Sequence, residues 1–304
     1  MADPLADLIG LTRPHAVLWK RIDGTGRWAI GFPAHSEIVF GTVVCGRCLL
    51  LEGGSALELA QGDFLLLAGS GPFAFASEPE VPPVDGERLL AEAPGRQAVL
   101  GTGDGEPVSL VGGNFLVDPA NESMLTTLMP GRVHLRGSDP GTRRITQLLD
   151  LIGDESTSDR PGRAYILPRL AEVLLVEALR SSGATGAPPE GLLRGLADPP
   201  IAAALRALHA DVRHPWTVAK LAVEARLSRS VFAERFAERV GVTPIEYLLA
   251  WRMALAREAL VRGDRTIDGI AHDLGYGSAS AFSNAFRRVA GVSPGRYART
   301  RGTG

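Results

Sequence analysis

Apolar positions change their rhythm twice along the chain. Residues 15–117 hold short apolar runs broken by glycine and proline, among them EIVFGTVV, RCLLLEGG, ALELAQGDFLLLAG and PFAFAS. That pattern predicts many short antiparallel strands joined by tight turns, as in a sandwich or small barrel. The stretch EPEVPPVDGERLLAEAPG, near 78–107, is rich in Pro, Gly, Asp and Glu and reads as a long loop. From Thr142 the spacing becomes three and four residues, in TRRITQLLDLIGDE and RAYILPRLAEVLLVEALRSS, with STSDRPG as a break. This predicts helices over about 142–180. SSGATGAPPEG then opens a linker at 181–197. It separates an N-terminal domain at 1–180 from a C-terminal domain at 198–304.

The C-terminal domain repeats itself. Ser228, Phe232, Phe236, Gly241, Pro244 and Tyr247 recur fifty residues on as Ser278, Phe282, Phe286, Gly291, Pro294 and Tyr297. Two copies of one helical unit are implied. In the first, Thr217 caps a short helix and Ser228 a second that runs to Val240, without a full capping box because Val231 holds the third helical position. Phe232, Phe236 and Val240 face the core, while Ser230, Glu234 and Ala237 face outward. In the second, Thr266 and Ser278 are the caps, GYG makes the turn, and Ala281 stands where a capping box needs an acid. Phe282, Phe286 and Val289 point inward, with Ser280, Asn284 and Arg287 outward. A short helix, a turn and an amphipathic helix form the helix-turn-helix plan. The helix predicted between the copies spans about 30 Å at 1.5 Å per residue. That is close to the ~34 Å of one DNA turn, so both second helices could enter successive major grooves.

The length of 304 residues suits two domains. Apolar runs fall short of the ~18 residues a membrane helix needs. The opening MADPLADLIG lacks the features of a secretory signal, so a cytoplasmic location without a membrane is expected. Residues 200–304 carry 16 Lys and Arg against 9 Asp and Glu, whereas residues 1–199 carry 16 against 25. A basic half joined to an acidic one implies that the C-terminal domain meets a polyanion.

These residues resemble the AraC/XylS family of bacterial transcription regulators. IAHDLGYGSASAFSNAFRRVAGVSPGRYA looks like the family's signature region. GRCLL, GDFLLLAGSG, GGNFLVDP and RLAEVLLVEALR are similar to members with a degenerate cupin barrel. The resemblance implies an α+β two-domain fold: an N-terminal antiparallel, cupin-like β-barrel with flanking helices, then an all-α double helix-turn-helix. It implies double-stranded promoter DNA as partner and base-reading positions at Ser230, Ala233 and Glu234, then at Ala279, Ser280 and Asn284. Arginine is common in the family where Glu234 and Asn284 stand. Glu234 could accept from cytosine N4, or pair with Arg229 or Arg235 instead; Asn284 suits adenine. Arg287, Arg288 and Arg229 read as phosphate clamps, with Arg252 a further candidate. Trp216 and Trp251 are expected in cores.

The barrel reads as a sensor of an unknown small-molecule effector or stress. No catalytic residue, cofactor or metal site is expected. His15, His35 and His134 are scattered, and Gly41 and Phe73 stand near positions where relatives often carry histidine. A metal set of His35, Glu37 and a cysteine is the disfavoured enzyme alternative. Cys45 and Cys48, in C-G-R-C, are the effector or redox-sensing candidates. Gly46 is expected in a two-residue hairpin turn, with Arg47 favouring thiolate. The opposing expectation is a buried, inert Cys48. A third reading, prompted by Glu234 and Asn284, is an interaction module that has lost DNA affinity. Leu167, Leu170, Val173 and Leu174 either cover the barrel, which is favoured, or form a homodimer interface.

Overall fold

The alternating segments fold as strands, and the places where sequence patterning misleads are where the chain changes sheets. The structure, a computed structural model, describes residues 2–12, 16–34, 37–69, 71–101, 103–116, 129, 131–182 and 191–301. They fall into two units. One holds the strands and two long helices. The other joins the segment up to Thr12 with the chain from Gly191 onward.

After helix α1 (Pro4–Thr12) come β1 (Ala16–Gly24), β2 (Ala29–Phe32), β3 (Ile38–Cys45), β4 (Arg47–Glu52), β5 (Ser55–Ala60), β6 (Phe64–Ala68) and β7 (Phe73–Ala76). β8 (Val84–Asp85), α2 (Gly86–Glu92), β9 (Gln97–Leu100), β10 (Val108–Leu116) and β11 (Arg132–Leu135) follow. A six-stranded sheet has the order β11-β6-β3-β10-β1-β9, and a five-stranded sheet the order β5-β4-β7-β2-β8. Ile22, Ile30, Leu50, Leu59 and Leu67 belong to one buried cluster drawn from both sheets. The expected barrel is therefore two hydrogen-bonded ladders that do not close on one another.

Three expectations need correction. The stretch at 78–107 is not a loop: β8 pairs parallel with β2, and β9 parallel with β1. Between them Asp85 caps α2 by accepting from the Arg88 backbone N–H. Its acidic, proline-rich composition hides short edge strands that take their order from neighbours. Second, Gly46 is not in a hairpin. β3 pairs with β10 and β6, while β4 pairs with β5 and β7, so the chain crosses between sheets at Gly46. Its φ is +76°, and a Cβ there would lie 2.4 Å from the Pro107 carbonyl oxygen. Left-handed backbone and close approach together demand glycine. Third, Val173 is 46% exposed although it follows the helical period. It lies on α4 (Arg163–Ser182), which with α3 (Thr142–Thr157) packs against β1. α4 also meets β11, so these helices lie against the six-stranded sheet, with Leu167 and Leu174 buried.

In the helical unit, α5 (Leu192–Ala197) falls within the segment read as linker and packs on α6 (Pro199–Ala210) and α8 (Arg229–Val240). Then come α7 (Val218–Glu224), α9 (Pro244–Arg262), α10 (Ile267–Asp273), α11 (Ala279–Ala290) and α12 (Pro294–Arg301). α1 lays Leu5, Leu8 and Ile9 into this unit and contacts α6 and α9. There the fully buried His209 ring is held at Nδ1 by Asp7 Oδ2 (2.9 Å) and at Nε2 by the Tyr247 hydroxyl (2.7 Å). Trp251 lies 4.3 Å from it, ring to ring.

Candidate functional site

The sequence repeat is also a repeat of geometry. Thr217, Ser228, Thr266 and Ser278 each accept a backbone N–H of the helix they open. Phe232 and Phe236 lie 5.6 Å apart, and Phe282 and Phe286 lie 5.7 Å apart. Tyr247 meets Phe236 edge-on at 79°, and Tyr297 meets Phe286 at 77°. Gly241 and Gly291 end their helices at φ of +85° and +73°. Each copy is thus an aromatic trio that fixes a second helix, α8 or α11, against the following one. α9 between them has a full capping box, Thr243 with Glu246.

The outward faces of α8 and α11 differ. Arg229, Ser230 and Glu234 are exposed on α8, with Ala233 half-buried. Ser280, Asn284, Arg287 and Arg288 are exposed on α11, with Ala279 half-buried. Glu234 makes no ion pair among the described residues. Arg235, one of its expected partners, instead binds the buried Asp198 at 2.7 Å, and Arg239 approaches the same carboxylate at 3.4 Å. Asp198 also caps α6 through the Ile201 N–H, so it ties α8 to α6 from the side away from Ser230 and Glu234.

Arg252, Trp216 and Val289 depart from expectation. Arg252 donates to the carbonyl oxygens of Val212 and His214 and lies over the Tyr276 ring at 5.6 Å. Its guanidinium holds the segment before α7 and is not presented as a phosphate clamp. Trp216 is half-buried, donating its indole N–H to the Asp211 carbonyl, whereas Trp251 is buried as expected. Val289, at the end of α11, is 40% exposed because the core-facing stripe stops at Phe286.

In the strand unit, Cys45 is exposed and Cys48 buried, and both thiols are free. Burial, reinforced by the Asp63 charge, pushes the Cys48 thiol up to about 12. Arg47 instead faces Glu58 at 3.6 Å. Cys48 is thus the buried thiol expected as the alternative to a thiolate beside Arg47, since desolvation disfavours the anion.

Between the two sheets lies a partly open cavity of about 210 Å³. Its walls include Phe32, Phe73, Phe75, Leu59 and Leu65, and its polar lining Lys20, Glu37, Thr42, Asp63, Glu87 and Asn114. Sequence reasoning named Glu37 alone among these, as a metal ligand. Glu37 instead accepts from the Asn114 Nδ2. Asp63 accepts from His134 Nε2 (2.9 Å) and from the Gly137 and Ala60 N–H groups. Burial raises its pKa, but these hydrogen bonds outweigh it and hold the carboxyl below the usual range. His15 and His35 lie outside the described residues; among those described, no three His, Cys, Asp or Glu side chains are grouped to hold a metal. Likewise, no described helix is long and apolar enough to cross a membrane.

A strand domain with a cavity between its sheets and two helix-turn-helix units define a class, the transcription regulators that bind DNA through two such units. Residues 3–183 match the family described as Cupin, and residues 221–300 one described as Helix-turn-helix domain. A Streptomyces lividans protein named as an AraC-like transcription regulator is 39% identical over 97% of both chains. The transcriptional regulator AlkR of Acinetobacter baylyi is 28% identical over 90% of this chain and 91% of its own. Among solved structures, the DNA-binding domain of AdpA in complex with a target DNA is 31% identical, covering 34% of this chain and 92% of that one, with a TM-score of 0.32. The chain belongs to the AraC-like transcription regulators, with a cupin domain before its DNA-binding domain.

Proposed function

We propose that the chain is a one-component regulator, not an enzyme: α8 and α11 bind one face of promoter DNA in the cytoplasm, and the cavity between the sheets takes a small-molecule effector. The observation that carries the reading is the paired scaffold. Two similarly built aromatic trios hold two helices whose exposed faces differ, with Glu234, Ala237 and Glu238 on one against Asn284, Arg287 and Arg288 on the other. Asn284 reads adenine through N6 and N7, and Ser230, Ala233, Glu234, Ala279 and Ser280 line the rest of the base-facing surface. Arg229, Arg287 and Arg288 clamp phosphates and set register without reading sequence. The two half-sites are unlike, and the second copy, with its Arg pair, grips the backbone harder.

Selection of bound duplexes from random DNA, followed by titration over salt, tests this. A true operator complex weakens steeply as salt rises, with a slope set by the number of phosphates neutralised. Equal, weak and salt-insensitive binding to all duplexes would defeat the reading. In the selected operator, inserting half a helical turn between the half-sites abolishes binding, because α9 cannot lengthen.

A further inference from the structure

The cavity between the sheets carries a more specific assignment than an unnamed effector, and the assignment rests on that reading. Among the described residues, its lining holds three carboxylates, Glu37, Asp63 and Glu87, against one basic side chain, Lys20. A wider groove lies alongside, between the turn joining β4 to β5 and the segment before α2, with Pro33, Pro72, Pro79 and Pro83 in its walls. Phe32, Phe73 and Glu87 line both spaces, so cavity and groove meet at that rim. The groove adds Asp85 and Glu52, the latter offset in part by Arg132 at 3.5 Å, and no basic side chain among the described residues lines it. Approach and interior thus share one sign. A cleft lined by one sign of charge concentrates counter-ions, so this one draws in cations and turns anions away.

The walls say what kind of cation. Phe32 and Phe73 are stacked at 5.1 Å, and Phe75 meets them edge-on at 6.5 and 5.7 Å. Lys20 shows that this cluster receives positive charge: its ammonium lies 5.8 Å from the Phe32 ring centre, a cation–π contact between two lining residues. Hydrogen bonding offers an incoming cation less. The Asp63 carboxylate is occupied on both oxygens, by His134 and Ala60 on one and by Gly137 on the other. Glu37 Oε2 accepts from Asn114 Nδ2. An ammonium that keeps its N–H groups needs acceptors for them when it leaves water, whereas a fully alkylated nitrogen has none to satisfy. Aromatic faces within a negative field suit the alkylated kind. At about 210 Å³ the space exceeds the ~150 Å³ that suffices for benzene, which is room for a compact head group.

We infer that this cavity is a binding site for a compact quaternary ammonium compound, whose cation rests on Phe32, Phe73 and Phe75 within the field of Glu37, Asp63 and Glu87. Calorimetry of the full chain with choline, its uncharged tert-butyl analogue, ethanolamine and tert-butylacetate tests the assignment. Choline binds about ten-fold more tightly than the tert-butyl analogue, which has its shape without the charge, and than ethanolamine, which has the charge without the methyl groups; tert-butylacetate does not bind. In Phe32→Leu the lead of choline over its analogue shrinks, while retained binding of the analogue shows that the cavity is intact. Lys20→Met removes the resident cation, so choline binds more tightly and the analogue as before. Equal binding of choline and its analogue to the wild-type chain overturns the assignment, as does tighter binding of ethanolamine or tert-butylacetate; these outcomes are decided even if neither variant folds. A chain that binds its operator but not choline refutes this inference and spares the proposed function. One that binds choline but no duplex does the reverse.

Discussion

At Arg226 the backbone turns left-handed, with φ of +55°, the sole non-glycine residue among those described to do so. It sits in the turn between α7 and α8. In the second copy the corresponding turn places the positive φ on Gly275, at +74°. The GYG of the second copy therefore announces its turn in the sequence, while the first copy makes one with a residue that gives no such sign. Holding a side chain in that region costs about 1 kcal/mol, so Arg226→Gly should raise stability by that amount in urea unfolding. A loss of stability would mean that the arginine side chain holds the turn. Val289 teaches the same lesson in reverse. Helical period is local, but whether a helix end meets a neighbour is settled by residues far away in the chain.

Helices were the most legible elements, because caps and aromatic spacing are local signals. Thr217, Ser228, Thr266 and Ser278 all cap as their sequence positions suggest. The strands were legible as strands but not in their partners, which is why Gly46 reads as a hairpin and the residues near 78–107 as a loop. The candidate site divides the same way. The outward residues of α8 and α11 follow from periodicity, whereas the cavity needs side chains from strands whose register the sequence does not reveal. α9 shows what an element's position adds. A basic residue on a helix between two DNA-facing units invites a phosphate contact, yet Arg252 is bound to Val212 and His214. Arg252→Ala should thus destabilise the helical unit by about 1–3 kcal/mol and leave the salt slope of DNA binding unchanged. Arg287→Ala should do the opposite, lowering the slope by about 1 with little change in stability.

Across the whole molecule the two units carry opposite charge, and the strand unit is inserted within the sequence of the helical one. The join is α1, which no sequence signal assigned to the helical unit. Its anchor is His209, whose groups in contact are Asp7, Tyr247 and Trp251, with Asp3 also acting on it. Burial lowers the pKa of this imidazole below its ordinary 6.5, against the opposing hydrogen bond and charge of Asp7. The unfolded chain then binds the proton more readily than the folded one. His209 should contribute fully above about pH 6.5, and its contribution should fall as pH drops toward the lower folded value. Urea unfolding followed through Trp251 at pH 7.5 and pH 5 should show a larger loss for the wild-type chain than for His209→Gln. A wild-type chain that gains stability on acidification would contradict this.

The Asp7–His209 contact joins residues 202 positions apart, and that separation has a consequence in time. At a synthesis rate of about 5–20 residues per second, α1 leaves the ribosome roughly 10–40 s before α6 exists to receive it. The strand unit, complete in the interval, can fold first. Through that wait Leu5, Leu8 and Ile9 remain uncovered, so a helix made before the strand unit finds its place only after it, and nascent chains halted before Leu208 are the ones a chaperone should hold.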